Sequence, residues 1–330
     1  MPLNISENEK DLDPAKWTKR FSSVQSALEY IHKLGEEVIV TMPLQISDSD
    51  KLLNPKRWTN RFSSVQSAFD YAHKKGKEET EKNAKYLKKA NVRYGPREKQ
   101  LLDIYYKGEE QGAPVIVYIH GGYWQEFSKD LSAFWVTPYL ENGYRVILMG
   151  YDLCPAVTLS ELVDEIKGGL KYCLQYAAET NAKAVSIIGH SAGAHLAIAA
   201  LDKETVGLPT INLVKSLYLV AGIYDLRVLI NSSVNTNNDL TLDESNVQQL
   251  SPMLIDYSHL KGLKLKINVV AAEFDSPLFV EQSQGMNKQL EKFQIDSKYK
   301  LISGVDHFEV MESFGKNNFE LTNLLLQELR

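Results

Sequence analysis

Residues 184–200 read AVSIIGHSAGAHLAIAA. AVSIIG is a mostly apolar run that ends on a glycine, the pattern of a strand covered on both faces. AGAHLAIAA is composed of good helix formers. Between them lies Gly189-His190-Ser191-Ala192-Gly193, a G-x-S-x-G with a strand before it and a helix after it. In that context the motif makes a sharp turn that holds the serine in a strained conformation with its Oγ projecting. The flanking glycines leave room for the helix start to pass close to the strand. The N–H of Ala192 falls at the helix N-terminus, where unpaired donors and the positive end of the dipole favour an anion.

Outward from this unit, strands and helices alternate. ANVRYG and KQLLDIYYK read as two short strands joined by a Gly-Pro turn, and PVIVYIH and YRVILMGYDL as buried strands. LSELVDEIKGGLKYCLQYAAET has helical spacing, and AGAHLAIAALDKE continues as one helix. VKSLYLVAGIYD, LKINVVAAEFD and KYKLISG are strands; LFVEQSQGMNKQLEKF and NFELTNLLLQELR are helices. The alternation predicts an α/β fold, with a mostly parallel central sheet and helices on both faces. In such sheets ligands bind at the carboxyl ends of the strands, so the loops there carry the chemistry.

A serine attacking a carbonyl creates an oxyanion, which needs preorganised N–H donors about 3 Å away. Ala192 supplies one. The loop after PVIVYI, His120-Gly121-Gly122-Tyr123-Trp124, is of the HGGG type that supplies the others. A Cβ there would fill the space the oxyanion occupies. Gly121, Gly122, Tyr123 and Ala192 are therefore the expected oxyanion hole, and Tyr123 and Trp124 the expected wall of an aryl-accepting pocket. His307 follows the last predicted strand, and Asp275 follows the strand before it. The chain order Ser191, Asp275, His307 suits a triad in which the imidazole moves the proton and the carboxylate fixes its tautomer. Asp225, also after a strand, is a competing acid; Asp306 is badly placed to reach its neighbour's ring. His120, His195 and His190 read as structural or turn residues.

Composition sets limits. The 330 residues are 44% hydrophobic and 24% charged with net charge −5, which suits a globular protein and does not suggest a nucleic-acid or anionic-membrane partner. No stretch approaches about 18 uninterrupted apolar residues, and the start lacks a signal-type apolar run. Cys154 and Cys173 have no metal-ligand spacing. A cytoplasmic protein without cofactor or metal is expected, with a nuclear pool left open. The N-terminus is duplicated: the segment opening at Met1 begins again at Met42, with RFSSVQSA identical in both copies. The expected organisation is a leader over 1–41, loosely attached, an N-terminal helical segment over 42–90 with Val65, Ala68, Phe69 and Ala72 at helical spacing, and a catalytic domain over 91–330.

NPKRW, HGGYW, GHSAGAHLA, GIYDL with the later QLSP, AEFDSP and DHFE occur in this order. Together they resemble the kynurenine formamidase (arylformamidase) family of α/β-hydrolases, from about Leu53 to the C-terminus. The resemblance implies hydrolysis of N-formyl-L-kynurenine to L-kynurenine and formate, with Ser191, Asp275 and His307 as triad and HGGYW as oxyanion hole and pocket edge. A homodimer is the family's expectation. The leader 1–41 departs from the family pattern. No residue is marked to read the amino-acid end of the substrate; Asn231 and Glu273 are guesses. Two other readings stand beside this one: a general carboxylesterase of the same fold, and an inactive hydrolase fold serving as a binding module.

Overall fold

The computed structural model describes residues 50–59 and 61–329. The first copy of the repeat, and with it the expected leader, lies outside the described residues. Among those residues eight strands form one sheet in the order β1-β2-β4-β3-β5-β6-β7-β8. They are β1 Leu87–Arg93, β2 Leu101–Tyr105, β3 Val115–Ile119, β4 Arg145–Met149, β5 Val185–His190, β6 Val214–Val220, β7 Lys266–Phe274 and β8 Ser297–Asp306. β2 runs antiparallel to β1 and β4. All other pairings are parallel.

The helices used below are α1 Val65–Asn83, α2 Leu159–Glu179, α3 Ala192–Ala199, α4 Pro277–Lys292, α5 Glu309–Ser313 and α6 Glu320–Glu328. The sheet has two buried faces, and the pleat of β3 shows how one sequence serves both. Val115, Val117 and Ile119 join a core with α2, α3 and α4. Ile116 and Tyr118 join the opposite core with Trp135, Tyr139, Phe314 and Leu325. Successive strand side chains point to opposite faces, so a strand apolar at every position needs a cover on each side.

Two boundaries differ from expectation. β1 begins at Leu87, so a division at residue 90 falls inside a strand. The expected single helix after Ser191 ends at Ala199, and a separate turn, Lys203–Val206, follows. The Asp202 carboxylate accepts the Thr205 N–H at 2.9 Å, an N-cap that starts a new helix.

The segment before β1 packs onto the body. α1 opens with a capping box in which Ser64 and Ser67 exchange side-chain and backbone bonds, and Ala68 on its inner face is buried. Ahead of it, residues 50–59 lie across the carboxyl ends of the strands, where the candidate site is found. Among the described residues no helix is long and apolar enough to cross a membrane.

Candidate active site

Ser191 stands between β5 and α3 with φ 55° and ψ −121°. This conformation is uncommon for a residue with a Cβ and costs about 1–3 kcal/mol. It is held from both sides. The Ser191 N–H donates to the Val220 carbonyl at 2.8 Å, and α3 is pressed onto the strand behind it. A Cβ on Gly193 would lie 2.1 Å from the Ile119 oxygen and 2.4 Å from that of His120, so the elbow closes only with glycine there. The same closeness joins the two glycine-bearing loops: a Cβ on Gly121 would meet the Ser191 Cβ at 2.9 Å.

His307 follows β8, and Asp275 follows β7. Their side chains meet, His307 Nδ1 to Asp275 Oδ2, at 2.7 Å. The second Asp275 oxygen, Oδ1, accepts the Ser276 N–H at 2.7 Å. Burial pushes the Asp275 carboxyl above the usual carboxylate range, while His307 pulls against that rise. With Nδ1 engaged, Nε2 is the ring nitrogen facing away from Asp275. Ser191, His307, Gly121, Gly122 and Tyr123 all line one cavity of about 250 Å³. Ala192 opens α3, so its N–H has no acceptor within the helix.

Asp225, the competing acid, is taken by Arg227, whose Nη2 donates to Oδ2 at 2.6 Å and Nε to Oδ1 at 2.9 Å. Trp124 needs correction. It does not line the cavity; it is fully buried, edge-on to His195 with ring centres 5.0 Å apart. The backbone takes the left-handed region at both Tyr123 (φ 49°) and Trp124 (φ 60°), a turn that carries the indole inward onto α3. Tyr123 stays at the cavity and its hydroxyl donates to the Leu53 carbonyl. Neither Asn231 nor Glu273 lines the cavity.

The neighbouring histidines are neutral fixtures. Burial lowers His120 and His195 to about 4. Burial, with repulsion from His307, lowers His190 to about 3. His190 Nε2 accordingly donates to the carbonyl of His307 at 2.9 Å, tying the serine's loop to that of the base. His195 ties α3 to the Leu250 carbonyl at 2.8 Å.

Residues 52–59 and Arg61 form a strap that bonds to the loops of Tyr123, Asp275 and His307. NPKRW lies in it, but the sequence does not show these contacts. The Ser276 hydroxyl, next to Asp275, donates to the Leu52 carbonyl at 2.5 Å. The Tyr123 hydroxyl reaches Leu53. Thr59 Oγ1 donates to Asp306 Oδ2 at 2.5 Å, and Arg61 grips both Asp306 oxygens at 2.8 and 3.1 Å. Asp306 is adjacent to His307 and also accepts the N–H of Phe308 and Glu309 at the start of α5. Burial would raise the Asp306 carboxyl, but the bonds from Arg61 and Thr59 outweigh it and hold the group below the usual range.

Comparison with known proteins decides the relationship. Over 239 residues the chain is 38% identical to a kynurenine formamidase of Drosophila melanogaster, covering 71% of this chain and 79% of that one. It is 31% identical to the kynurenine formamidase of Danio rerio, covering 72% and 80%. The chain belongs to the kynurenine formamidase family. A family model described as BD-FAE matches residues 102–253. The crystal structure of esterase B from Lactobacillus Rhamnosis superposes with TM-score 0.63 at 21% identity, covering 85% of this chain and 94% of that chain. That likeness shows the α/β-hydrolase fold. The chain is thus a hydrolase of the kynurenine formamidase family.

Proposed function

We propose that this enzyme hydrolyses N-formyl-L-kynurenine to L-kynurenine and formate through a formyl-enzyme on Ser191. The observation that carries the reading is the buried 2.7 Å pair of Asp275 and His307 in a cavity shared with Ser191 and the Gly121-Gly122-Tyr123 loop. Membership of the formamidase family adds support for the substrate.

His307 Nε2 takes the Ser191 hydroxyl proton as Oγ bonds to the formyl carbon. The carbonyl π pair moves to oxygen, and the N–H groups of Ala192 and the glycine loop stabilise that charge. The imidazolium then returns the proton to the anilide nitrogen as the C–N bond breaks, releasing the arylamine. Asp275 keeps the ring in one tautomer and offsets its positive charge in the protonated state. A water deprotonated by His307 attacks the formyl ester next. Formate leaves, and the proton returns to Ser191. An aniline departs more easily than an alkylamine, so the imidazolium need supply only modest acid assistance. The formyl carbon carries only hydrogen, which lets it approach a serine crowded by Gly121 and the buried elbow.

A series of acyl groups tests this reading against a general carboxylesterase. Formyl esters and formyl anilides should turn over far faster than butyryl esters. A flat or rising rate with acyl length would replace the formamidase by an esterase. A serine-directed phosphonate should label wild type and not Ser191→Ala; equal labelling of both, or of neither, would favour a binding module.

A further inference from the structure

The cavity carries charges that the hydrolytic chemistry does not use. Asp50, Lys56, Lys75, Glu126 and Glu312 all line it. Three of them are committed elsewhere. Glu312 holds Lys75 at 2.7 Å and Arg61 at 3.3 Å, as part of the clamp behind His307. Asp50 Oδ1 accepts the Ser233 N–H at 2.8 Å.

Lys56 and Glu126 are different. Their contact is loose, a single approach of 3.4 Å, and among the described residues neither side chain has another polar partner. The Lys56 side chain is only 19% exposed, and its Nζ lies 4.4 Å from the centre of the Phe69 ring. An ammonium has three donors, and one loose acceptor leaves it under-used. The pair also lies beside the reacting centre. The Glu126 N–H donates to the Gly122 carbonyl at 2.9 Å, and Lys56 is on the strap whose Leu53 carbonyl receives Tyr123.

We propose that Lys56 and Glu126 form the subsite for the zwitterionic α-amino-acid end of the substrate, Lys56 taking its carboxylate and Glu126 its ammonium. This rests on the formamidase reading and deepens it. Binding exchanges one ion pair for two: each protein charge trades its loose partner for the ligand's opposite charge, and no ion is left uncompensated in the cavity. That matters chiefly for Lys56, whose side chain is 19% exposed against 44% for Glu126, because a shielded charge left without a partner is costly. A simple aryl carboxylate would satisfy Lys56 but set a like charge against Glu126. An uncharged aryl formamide would leave the pair as it stands. The subsite therefore selects amino acids over both acids and neutral amides.

The test compares N-formyl-L-kynurenine with formanilide, the aryl formamide without the tail, on the full-length chain. Lys56→Met and Glu126→Gln should each lower the ratio of kcat/KM between the two substrates by ~10–100-fold, chiefly through KM. The exchange Lys56→Glu with Glu126→Lys should recover part of that ratio. In wild type, with no variant involved, L-kynurenine should inhibit formanilide hydrolysis at far lower concentration than anthranilate, a monoanion. An unchanged ratio in both single variants, or equal inhibition by the two products, overturns the subsite while leaving the formamidase intact. Failure of wild type to release arylamine from either formamide overturns the formamidase reading and the subsite with it.

Discussion

At the scale of single residues, the site depends on side chains whose chemistry is set by what encloses them. Ser191 is held in a positive-φ turn, and in the proposed mechanism its attack needs the neutral imidazole of His307. Ser191→Ala should reduce kcat by ~10³-fold or more with little change in substrate binding, read from steady-state kinetics and product inhibition. Asp275→Asn should leave the fold intact and lower kcat by up to ~10⁴-fold, because the ring loses its preferred tautomer; retention of activity would return the role of acid to another residue. The placement of these candidate residues near one another was legible in the sequence because each follows a strand in a parallel sheet. Trp124 was not. Its neighbours suggest a pocket wall, yet a pair of left-handed residues puts the indole in the core, and local sequence does not report a backbone turn that tertiary packing imposes.

At the scale of elements, what the sequence conceals is the set of contacts the strap makes. RFSSVQSA reads as the start of a helix, and α1 does start there, but nothing in the pattern shows that Arg61 reaches across to Asp306, 245 positions away. A contact of that separation is decided by topology, and charge alone names many partners. Arg61 holds Asp306, and Asp306 anchors the loop of His307. Arg61→Ala should therefore lower kcat by ~10-fold or more with a smaller change in KM, since slight misplacement of a catalytic group is costly. It should also destabilise the fold by about 3 kcal/mol at neutral pH. The sign of the pH dependence follows from the depressed Asp306 carboxyl. The stability it contributes is present above the ordinary carboxylate pKa and is lost as pH falls through the lower folded value. Denaturant midpoints of wild type and Arg61→Ala should thus converge towards strong acid; a gap independent of pH would mean that the clamp acts by packing alone.

At the scale of the whole molecule, alternation of apolar runs with helical periods was enough to indicate the sheet, because an all-apolar strand such as β3 is stable only between two covered faces. The boundaries were less legible: helix restart at Asp202 depends on a cap, and β1 begins inside what reads as a helical segment. The duplication suggests that one copy suffices. Removal of residues 1–41 should leave thermal stability and turnover close to those of the full chain, whereas removal of residues 1–61 takes away the strap and should abolish activity. Loss of activity in the shorter deletion would show that the first copy is integral. The central claim is that a serine, an imidazole and a main-chain cradle act together on a formamide. Release of free arylamine from N-formyl-L-kynurenine by purified wild type and Ser191→Ala tests it most directly. Rapid release by wild type and a loss of ~10³-fold or more in the variant is the predicted result; equal release by both, or none by wild type, would contradict it.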